Sequence, residues 1–431
     1  NIKDLRNFIS KFTVRRTKKY LNKEIDKNPA AYINKRASKC RFPKQISKTY
    51  RTLETNEDIL IVREINQLAT GIRGITYLTD FKKPDFEMSN PESIASYLTK
   101  RFHAGKALSV YMVRAKLRSS HVALVEHIEG SAHAMDYFSF EGKSKETGDK
   151  LTKLEQIIRR GKLPRKYSLF KNEFFPSWLN DKEEYLKACK EEYDVYKKIS
   201  LLAKKLSGRR EYGKVAKLKD ISKKHANILA FDGTVITLYY FKKLFEQNHP
   251  EQKILVASGS EKDNESRKVM EEFNIQSNST ERYIALCSDK MAESIDLQKA
   301  SCMMLLDMPS VLRIVEQRIG RVDRMDSQNA EIEIFWPEDS EEYSLKADER
   351  LIVVNDMVEQ IYGSNFEVPE VLKKAVFSKT DSTKAMIEEY AEFVEKDVSW
   401  SGIHDSFQPI VSLKEGPTAL IDEKTYEQLK N

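Results

Sequence analysis

The chain has 431 residues, and 73 Lys and Arg against 66 Asp and Glu give a formal net charge of +7. With 40% hydrophobic and 10% aromatic residues it can bury the cores of two or three domains, which excludes general disorder, and no apolar run approaches the roughly 18 to 20 residues that span a bilayer. Its four scattered cysteines (Cys40, Cys189, Cys287 and Cys302) form no C-x-x-C pair, so we expect a reduced, cytoplasmic protein without disulfides or structural zinc.

The first 81 residues predict a connector and not a complete core. A basic stretch is followed by an extended, β-branched run over residues 45–53 and by a helix over residues 56–69. Residues 82–224 are rich in Lys, Glu, Leu and Tyr and lack a strand rhythm. Because residues 114–137 carry apolar side chains at helical spacing, this part is predicted to be a charged, helical insertion.

Residues 225–340 alternate short apolar runs with amphipathic segments, which is the pattern of repeated βαβ units. Five strands are predicted, over residues 226–231, 253–257, 283–287, 302–307 and 330–336. Helices are predicted between them over residues 234–247, 264–273 and 311–319. The fold class is therefore α/β, a parallel sheet flanked by helices and joined by right-handed crossovers.

Residues 341–431 are predicted to form a helical extension, with helices over residues 344–362 and 383–396 before a polar tail. The predicted organisation thus has four parts: a connector (1–81), a helical insertion (82–224), an α/β lobe (225–340) and a C-terminal helical extension (341–431).

Two arginines follow the third helix of the lobe, in a segment that fits Q-R-x-G-R-x-x-R. Gln317, Gly320, Arg321 and Arg324 stand at its defining positions. Arginines three residues apart on a helical turn point the same way, and their planar, permanently charged groups suit the charge that spreads over a phosphoryl group during transfer. A surface helix with scattered arginines is the alternative for an isolated R-x-x-R pair.

Polar residues follow three predicted strands. Ser258 and Ser260 follow the second strand, Ser288 follows the third, and Asp307 ends the fourth in the segment L-D-M-P-S. Open α/β sheets bind ligands at the carboxyl ends of their parallel strands. These side chains are therefore candidate ligand contacts.

The order of these segments resembles the motifs of superfamily-two helicases. Residues 316–325 are similar to motif VI, residues 288–298 to motif V and residues 227–234 to motif IV. Residues 12–18 are similar to the F-x-x-R-R-T-K segment that leads into the second RecA-like lobe in the Swi/Snf-type, RapA-like bacterial branch. The resemblance covers roughly residues 1–80 and 222–340, and it departs from the family at Ser294, Asp296 and Ser310, where Gly, Asn and Trp are usual or frequent.

This resemblance implies the C-terminal, RecA-like half of a bacterial ATP-dependent DNA helicase or translocase. It implies that Arg321 and Arg324 reach the γ-phosphate of ATP and that Gln317 couples the site to lobe closure. Nucleotide contacts are implied for Gly320, Glu293 and Asp296. Contacts to the sugar-phosphate backbone of duplex or single-stranded DNA are implied for Ser258, Ser260 and Ser288.

A phosphate-binding Walker A loop is not found in the sequence. The nearest pattern, Gly142-Lys143-Ser144, has Tyr137 where the first glycine should stand, and no strand precedes it. The ligands of ATP and Mg²⁺ are therefore expected mostly on an N-terminal RecA-like lobe, which is the expected protein partner of this chain. A first residue other than Met agrees with a piece of a longer protein, and this piece alone is expected to hold no ATP and to be inactive.

A basic cluster over residues 204–224 includes Lys214, Lys217 and Lys219, which are candidate contacts to DNA phosphates. A solvated helix face is an equally good interpretation of these lysines. No metal site is expected from His121, His127 and His133, because a spacing of six residues does not stack them on one helix face.

Two other functions stay open. One is a RecA-like module that binds DNA or a protein without catalysis, which the departures at Ser294 and Asp296 favour. The other is half of an RNA helicase, which uses nearly the same motifs but fits the R-R-T-K segment less well.

Overall fold

The computed structural model describes residues 7–8, 11, 16–33, 40–83, 91–145, 148–259, 263–292, 297–325, 327–361 and 363–379. The chain divides into two compact units, Asn1–Leu372 and Lys373–Asn431. Of the second unit, the structure describes only the residues that end the last helix. The predicted helix over residues 383–396 lies outside the described residues.

One sheet of six parallel strands organises the first unit. Its strands are β1 (Lys44–Arg51), β4 (Asn227–Asp232), β5 (Lys253–Ala257), β6 (Tyr283–Ser288), β7 (Cys302–Leu305) and β8 (Glu331–Glu338). A separate pair joins β2 (Asp80–Phe81), at the end of the connector, to β3 (Arg165–Lys166) of the insertion. The order in the large sheet is β1-β8-β7-β4-β6-β5. β4 and β6 are buried along their whole length, as expected for apolar central strands that are covered on both faces.

Helices cover the sheet and build the insertion. They are α1 (Lys18–Lys27), α2 (Asn56–Thr70), α3 (Pro91–Ser119), α4 (His121–Glu129), α5 (Ser131–Tyr137), α6 (Lys150–Arg160), α7 (Lys182–Ala203), α8 (Arg209–Ser222), α9 (Val235–Asn248), α10 (Asn264–Glu272), α11 (Leu312–Ile319), α12 (Lys346–Ile361) and α13 (Glu370–Lys379). Short 3₁₀ turns lie at Pro29–Tyr32, Ile75–Tyr77, Asn172–Phe174, Ser177–Leu179 and Asp289–Ala292. Within the described part of the chain, no helix is both long and apolar enough to cross a bilayer.

The predicted α/β fold class is confirmed. All five predicted strands of the lobe are present as β4 to β8, and the three predicted helices between them are α9, α10 and α11. The insertion is mostly helical, as predicted, and its periodic segment is divided into α3, α4 and α5. The first break is at Ser120, which begins α4 by accepting a hydrogen bond from the Ala123 N–H at 3.0 Å. The second is at Gly130, whose φ of +97° favours glycine.

The sixth strand of the sheet comes from the segment that the sequence predicted to be a connector. β1 pairs with β8 over its whole length, from Lys44 beside Glu331 to Arg51 beside Glu338. The hydroxyl of Tyr50 also donates to the carbonyl of Leu305 at 2.6 Å. The sheet therefore draws its edge strand from the first 81 residues and the rest from the predicted lobe.

The insertion packs against the lobe through a shared apolar core. Val122 and Leu124 of α4 belong to the same buried cluster as Ile228 of β4 and Phe241 of α9. Burial of this kind stabilises by roughly 25 cal/mol per Å² of apolar surface. The insertion is therefore held firmly enough for its side chains to contribute to a site on the sheet.

Candidate functional site

Three carboxylates meet at the carboxyl ends of the central strands. Asp232 ends β4, Asp289 follows β6, and Asp307 comes two residues after β7. A Cβ atom added to Gly233 would lie 3.2 Å from Asp307 Oδ2 and 3.4 Å from Asp289 Oδ2, so the loops close tightly around this glycine. The described residues of the loops that follow β4, β5, β6 and β7 are called the strand-end edge below.

A buried arginine joins two of these carboxylates to α11. Arg318 is 1% exposed; its Nε donates to Asp289 Oδ1 at 2.6 Å and its Nη1 to Asp307 Oδ1 at 2.7 Å. Burial opposes ionisation of Asp307, but the Arg318 guanidinium outweighs burial and lowers the pKa of Asp307. Because the planar guanidinium of Arg318 donates to carboxylates from two loops at once, it locks α11 onto the strand-end edge. The sequence pattern contains this arginine but did not reveal its role.

Asp232 is fully buried beside the predicted residue Ser288, its register partner on β6. Its Oδ1 accepts hydrogen bonds from Ser119 Oγ at 2.6 Å and from the Thr234 N–H at 2.7 Å. Burial, with the nearby charge of Asp307, raises the pKa of Asp232 to about 7. Among the described residues, Asp232 Oδ2 and Ser288 Oγ have no hydrogen-bond partner. Two buried polar atoms at the carboxyl ends of neighbouring strands therefore still have hydrogen-bonding capacity.

The predicted catalytic residues gather at the end of α11. Arg321 Nε donates to the Gln317 carbonyl at 3.2 Å, and Arg324 Nε donates to the Gly320 carbonyl at 3.1 Å. Both arginines are partly exposed. Gly320 has an ordinary helical φ of −60°, but a Cβ atom there would lie only 2.8 Å from the Glu316 carbonyl oxygen. A glycine is therefore needed because the end of this helix is crowded.

The N-terminal segment holds the stretch between these two arginines. Lys18 Nζ donates to Asp323 Oδ2 at 2.7 Å and to the Asp323 carbonyl at 3.2 Å. The Gln45 side-chain amide also donates to the Asp323 carboxylate. Residues 18 and 45 lie far from residue 323 in the sequence, and no spacing rule could have linked them. The structure thus adds Lys18 and Asp323 to the site.

Ser258 lies at the carboxyl end of β5, as predicted, but it has an unexpected neighbour. Its Oγ donates to Asp263 Oδ2 at 3.0 Å, and Lys143 Nζ donates to both Ser258 Oγ (3.1 Å) and Asp263 Oδ2 (2.6 Å). Lys143 belongs to the G-K-S sequence that failed as a Walker A loop. The other predicted residues Ser260, Glu293 and Asp296 lie outside the described residues.

The lysine cluster before β4 divides between interior and surface, and the prediction for Lys214 is wrong. Lys214 is 0% exposed, its Nζ is 3.4 Å from the Ser119 carbonyl oxygen, and burial lowers its pKa to about 8. It lies on the same inward face of α8 as Leu218 and Ile221, so it cannot contact a phosphate on the surface. Lys217 Nζ lies 5.0 Å from the centre of the Phe335 ring, and Lys219 forms a 2.6 Å ion pair with Glu251.

Lys217 lies apart from the strand-end edge. It lines a groove of about 570 Å³ between α8 and the β1/β8 side of the sheet, together with Lys48, Lys224, His225 and Phe335. We call this the α8 groove. His225 lies two residues before the first residue of β4, so the groove reaches toward the amino ends of the strands. The predicted nucleic-acid contacts thus fall in two different places.

The histidines at positions 121, 127 and 133 belong to no metal-binding cluster: among the described residues, no group of His, Cys, Asp and Glu could hold a metal ion. His121 instead forms a buried pair with Glu211, at 2.9 Å between Nδ1 and Oε1. Burial and nearby lysines lower the pKa of His127 well below its usual value.

Residues 213–326 match the family described as the helicase conserved C-terminal domain. This segment contains β4 to β7, the strand-end edge and the arginines at the end of α11, so this part of the chain is similar to the C-terminal lobe of helicases. No curated protein matches the chain.

Several solved structures are similar to parts of the chain. The C-terminal part of the Fun30 ATPase domain is 13% identical, with 79% of this chain and 100% of that chain covered and a TM-score of 0.33. The DEAD-box helicase Mss116 bound to single-stranded RNA and UDP-BeF is 18% identical, with 40% and 33% covered and a TM-score of 0.28. Mss116p domain 2 bound to an RNA duplex is 18% identical, with 40% and 65% covered and a TM-score of 0.27.

Proposed function

We propose that the chain is the C-terminal part of a Swi/Snf-type, ATP-dependent DNA helicase or translocase. One observation carries this proposal: Gln317, Arg321 and Arg324 gather at the end of a helix that Arg318 locks onto the strand-end edge. All of these residues lie within the segment that matches the helicase conserved C-terminal domain.

The arrangement of Arg321 and Arg324 suits a bound triphosphate. Each guanidinium is partly exposed and is fixed to the helix end by a bond from its Nε to a backbone carbonyl. Such planar groups can form paired, charge-assisted hydrogen bonds to phosphate oxygens. ATP with Mg²⁺ supplies the phosphoryl group whose transfer drives the motor. We assign Gln317 to coupling, and Gly320, Glu293 and Asp296 to further nucleotide contacts.

The remaining ligands of ATP and Mg²⁺ are assigned to an N-terminal RecA-like lobe, which is the proposed protein partner. Contacts to the DNA backbone are assigned to Ser258, Ser260 and Ser288 at the strand-end edge and to Lys217 and Lys219 near the α8 groove. Contacts of this kind position a nucleic acid without specifying its sequence. A place in the bacterial cytoplasm is part of this proposal, and it is supported by the absence of a disulfide among the cysteines of the described residues.

The proposal is tested by ATPase turnover at saturating DNA in the full-length protein that carries this chain. An arginine that acts on charge developing in the transition state affects the rate far more than binding. We expect Arg324→Ala to lower turnover on the order of 10³-fold, Arg321→Ala to act similarly or somewhat less, and lysine to rescue little. Arg313→Ala, an exposed arginine on the same helix, is the control.

The melting temperature separates catalysis from structure. Catalytic arginines leave it nearly unchanged when they are replaced. If turnover of Arg324→Ala stays within about tenfold of the wild type, a barrier change of about 1.4 kcal/mol, while the melting temperature falls by several degrees, the arginines are structural and the proposal is wrong.

A further inference from the structure

The insertion contacts the strand-end edge at several points, which include the Ser119 bond to Asp232 and a 3.2 Å bond from Arg118 Nη2 to Ser310 Oγ. Three further pairs are Lys143 Nζ with Ser258 Oγ after β5 (3.1 Å), Lys116 Nζ with Thr234 Oγ1 after β4 (3.0 Å), and the Tyr111 hydroxyl with Ser310 Oγ after β7 (3.2 Å). In the strand order β7-β4-β6-β5, these points span three strand spacings, roughly 14 Å. The insertion therefore runs beside the edge for a length that would hold a few nucleotides.

Tyr111 has the properties of a stacking residue. It is an aromatic side chain that is 38% exposed on α3, and its hydroxyl is tied to Ser310 in the loop before α11. Val311, the next residue of that loop, is 50% exposed. An aromatic ring fixed at its polar end, with an apolar neighbour, is a suitable platform for a base, because every base has a π-face.

Lys143 stands at the other end of this row and is 45% exposed. Lys290, which follows β6, is also exposed and lies beside Gly259, since a Cβ atom on that glycine would collide with Lys290 Cβ. Exposed ammonium groups that flank one edge suit a phosphate backbone.

Most carboxylates of the edge carry no uncompensated charge. Arg318 pairs with Asp289 and Asp307, and Asp263 pairs with Lys143 itself, so a phosphate that binds Lys143 must compete with that carboxylate. Asp232 is buried, and its pKa of about 7 leaves it largely protonated below neutral pH. A polyanion at the edge thus meets few unpaired negative charges.

We propose that the exposed side chains of the insertion beside the strand-end edge bind single-stranded DNA, with Tyr111 stacking on a base and Lys143 contacting a phosphate. This inference rests on the proposed function, and it gives the insertion a direct part in substrate binding.

The first experiment measures binding of a fluorescent oligothymidine to this chain by anisotropy, over a series of salt concentrations. Lys143→Ala removes one phosphate contact, so the log–log salt slope should fall by about 0.7 and the affinity roughly fivefold at 0.1 M salt. Lys197→Ala, an equal loss of charge at an exposed position on α7, should leave both unchanged. Equal behaviour of the Lys143 and Lys197 variants would overturn the proposal.

A second variant tests whether the Lys143 ammonium contacts DNA or serves only in its ion pair with Asp263. Asp263→Asn keeps the helix cap, because asparagine also accepts from the Glu265 N–H, but it frees the Lys143 ammonium from its carboxylate. Binding should become tighter if Lys143 contacts DNA. If binding weakens as much as in Lys143→Ala, the pair is only structural and the proposed contact is wrong.

For Tyr111, the variants separate the ring from the hydroxyl. Tyr111→Ala should weaken binding roughly fivefold or more, as loss of one base–aromatic stack does, and Tyr111→Phe should bind within about twofold of the wild type. The Tyr111→Ala loss should be absent with blunt duplex DNA, whose bases stay stacked. Equal losses for Phe and Ala, or an equal Tyr111→Ala loss on duplex DNA, would contradict the stacking assignment.

These results are distinguishable from failure of the proposed function. If the wild-type chain binds no DNA at low salt, both ideas fail. If it binds and the Lys143 and Tyr111 variants bind as well as the wild type, the insertion has no part in DNA binding, and the helicase proposal stands without it.

Discussion

The strand-end edge and the α8 groove both contain residues that the sequence assigned to nucleic acid, but they differ in construction. At the edge, polar groups come from several loops and from the insertion, and buried Arg318 ties them together. In the α8 groove, Lys48 and Lys217 lie over the Phe335 ring, and Lys48 also pairs with Glu333. Lysines that are close together in the sequence form a charged surface. Polar residues that follow neighbouring parallel strands lie close together in the fold and form a candidate binding site.

The largest loss of stability is expected when Arg318, at the centre of the strand-end edge, is replaced. Arg318→Ala leaves Asp307 buried without its partner, so we expect a loss of roughly 3 to 5 kcal/mol in the free energy of unfolding, measured by urea denaturation of this chain. Arg313→Ala on the same helix should change it by no more than about 0.5 kcal/mol. A loss below about 1 kcal/mol for Arg318→Ala would mean that the edge does not depend on this arginine.

The next prediction compares the two places as DNA-binding surfaces. If Lys217 and Lys219 each contact a phosphate, the double alanine variant should lower the log–log salt slope of binding by about 1.4 to 1.8. Buried Lys214 cannot contribute, so Lys214→Met should leave the slope as it is in the wild type. An unchanged slope in the double variant would remove the α8 groove from the DNA path and leave the edge alone.

The strand positions could be predicted because the central strands are short apolar runs covered on both faces. Since parallel strands end at one edge, Ser258, Ser288 and Asp307 were correctly expected there. The place of β1 could not be predicted, because an alternating run fits many edge strands and its partner is 287 residues away. Lys214 did carry a usable signal, since Leu218 and Ile221 repeat its position at helical spacing.

A smaller effect concerns the unpaired hydroxyl of Ser288. If it meets DNA, Ser288→Ala should weaken binding about fivefold, which corresponds to about 1 kcal/mol for one hydrogen bond. The free energy of unfolding should not fall, because the buried hydroxyl has no partner within the described residues. Unchanged binding together with lower stability would show that Ser288 serves the fold.

A further prediction concerns the pH dependence of stability. In the unfolded chain Asp232 loses its proton near pH 4, but in the fold it keeps the proton up to about pH 7. The unfolded state therefore binds fewer protons between these values, and stability should fall as the pH rises from 5 to 7. Asp232→Asn should flatten this fall in thermal unfolding. Asp263→Asn should not, because the pKa of Asp263 is lowered and lies below this range.

The pairing of β1 with β8 has a consequence for the life of the protein on the ribosome. Lys44 of β1 pairs with Glu331 of β8, which is synthesised 287 residues later. At about 5 to 20 residues per second, the two strands are therefore separated by roughly 15 to 60 s of synthesis. Until then the β7 side of the sheet is an open edge of apolar residues, which favours pairing with other chains. A fragment limited to residues 213–326 ends before β8 and would keep that edge open permanently, so it should aggregate where a chain that includes β1 and β8 does not.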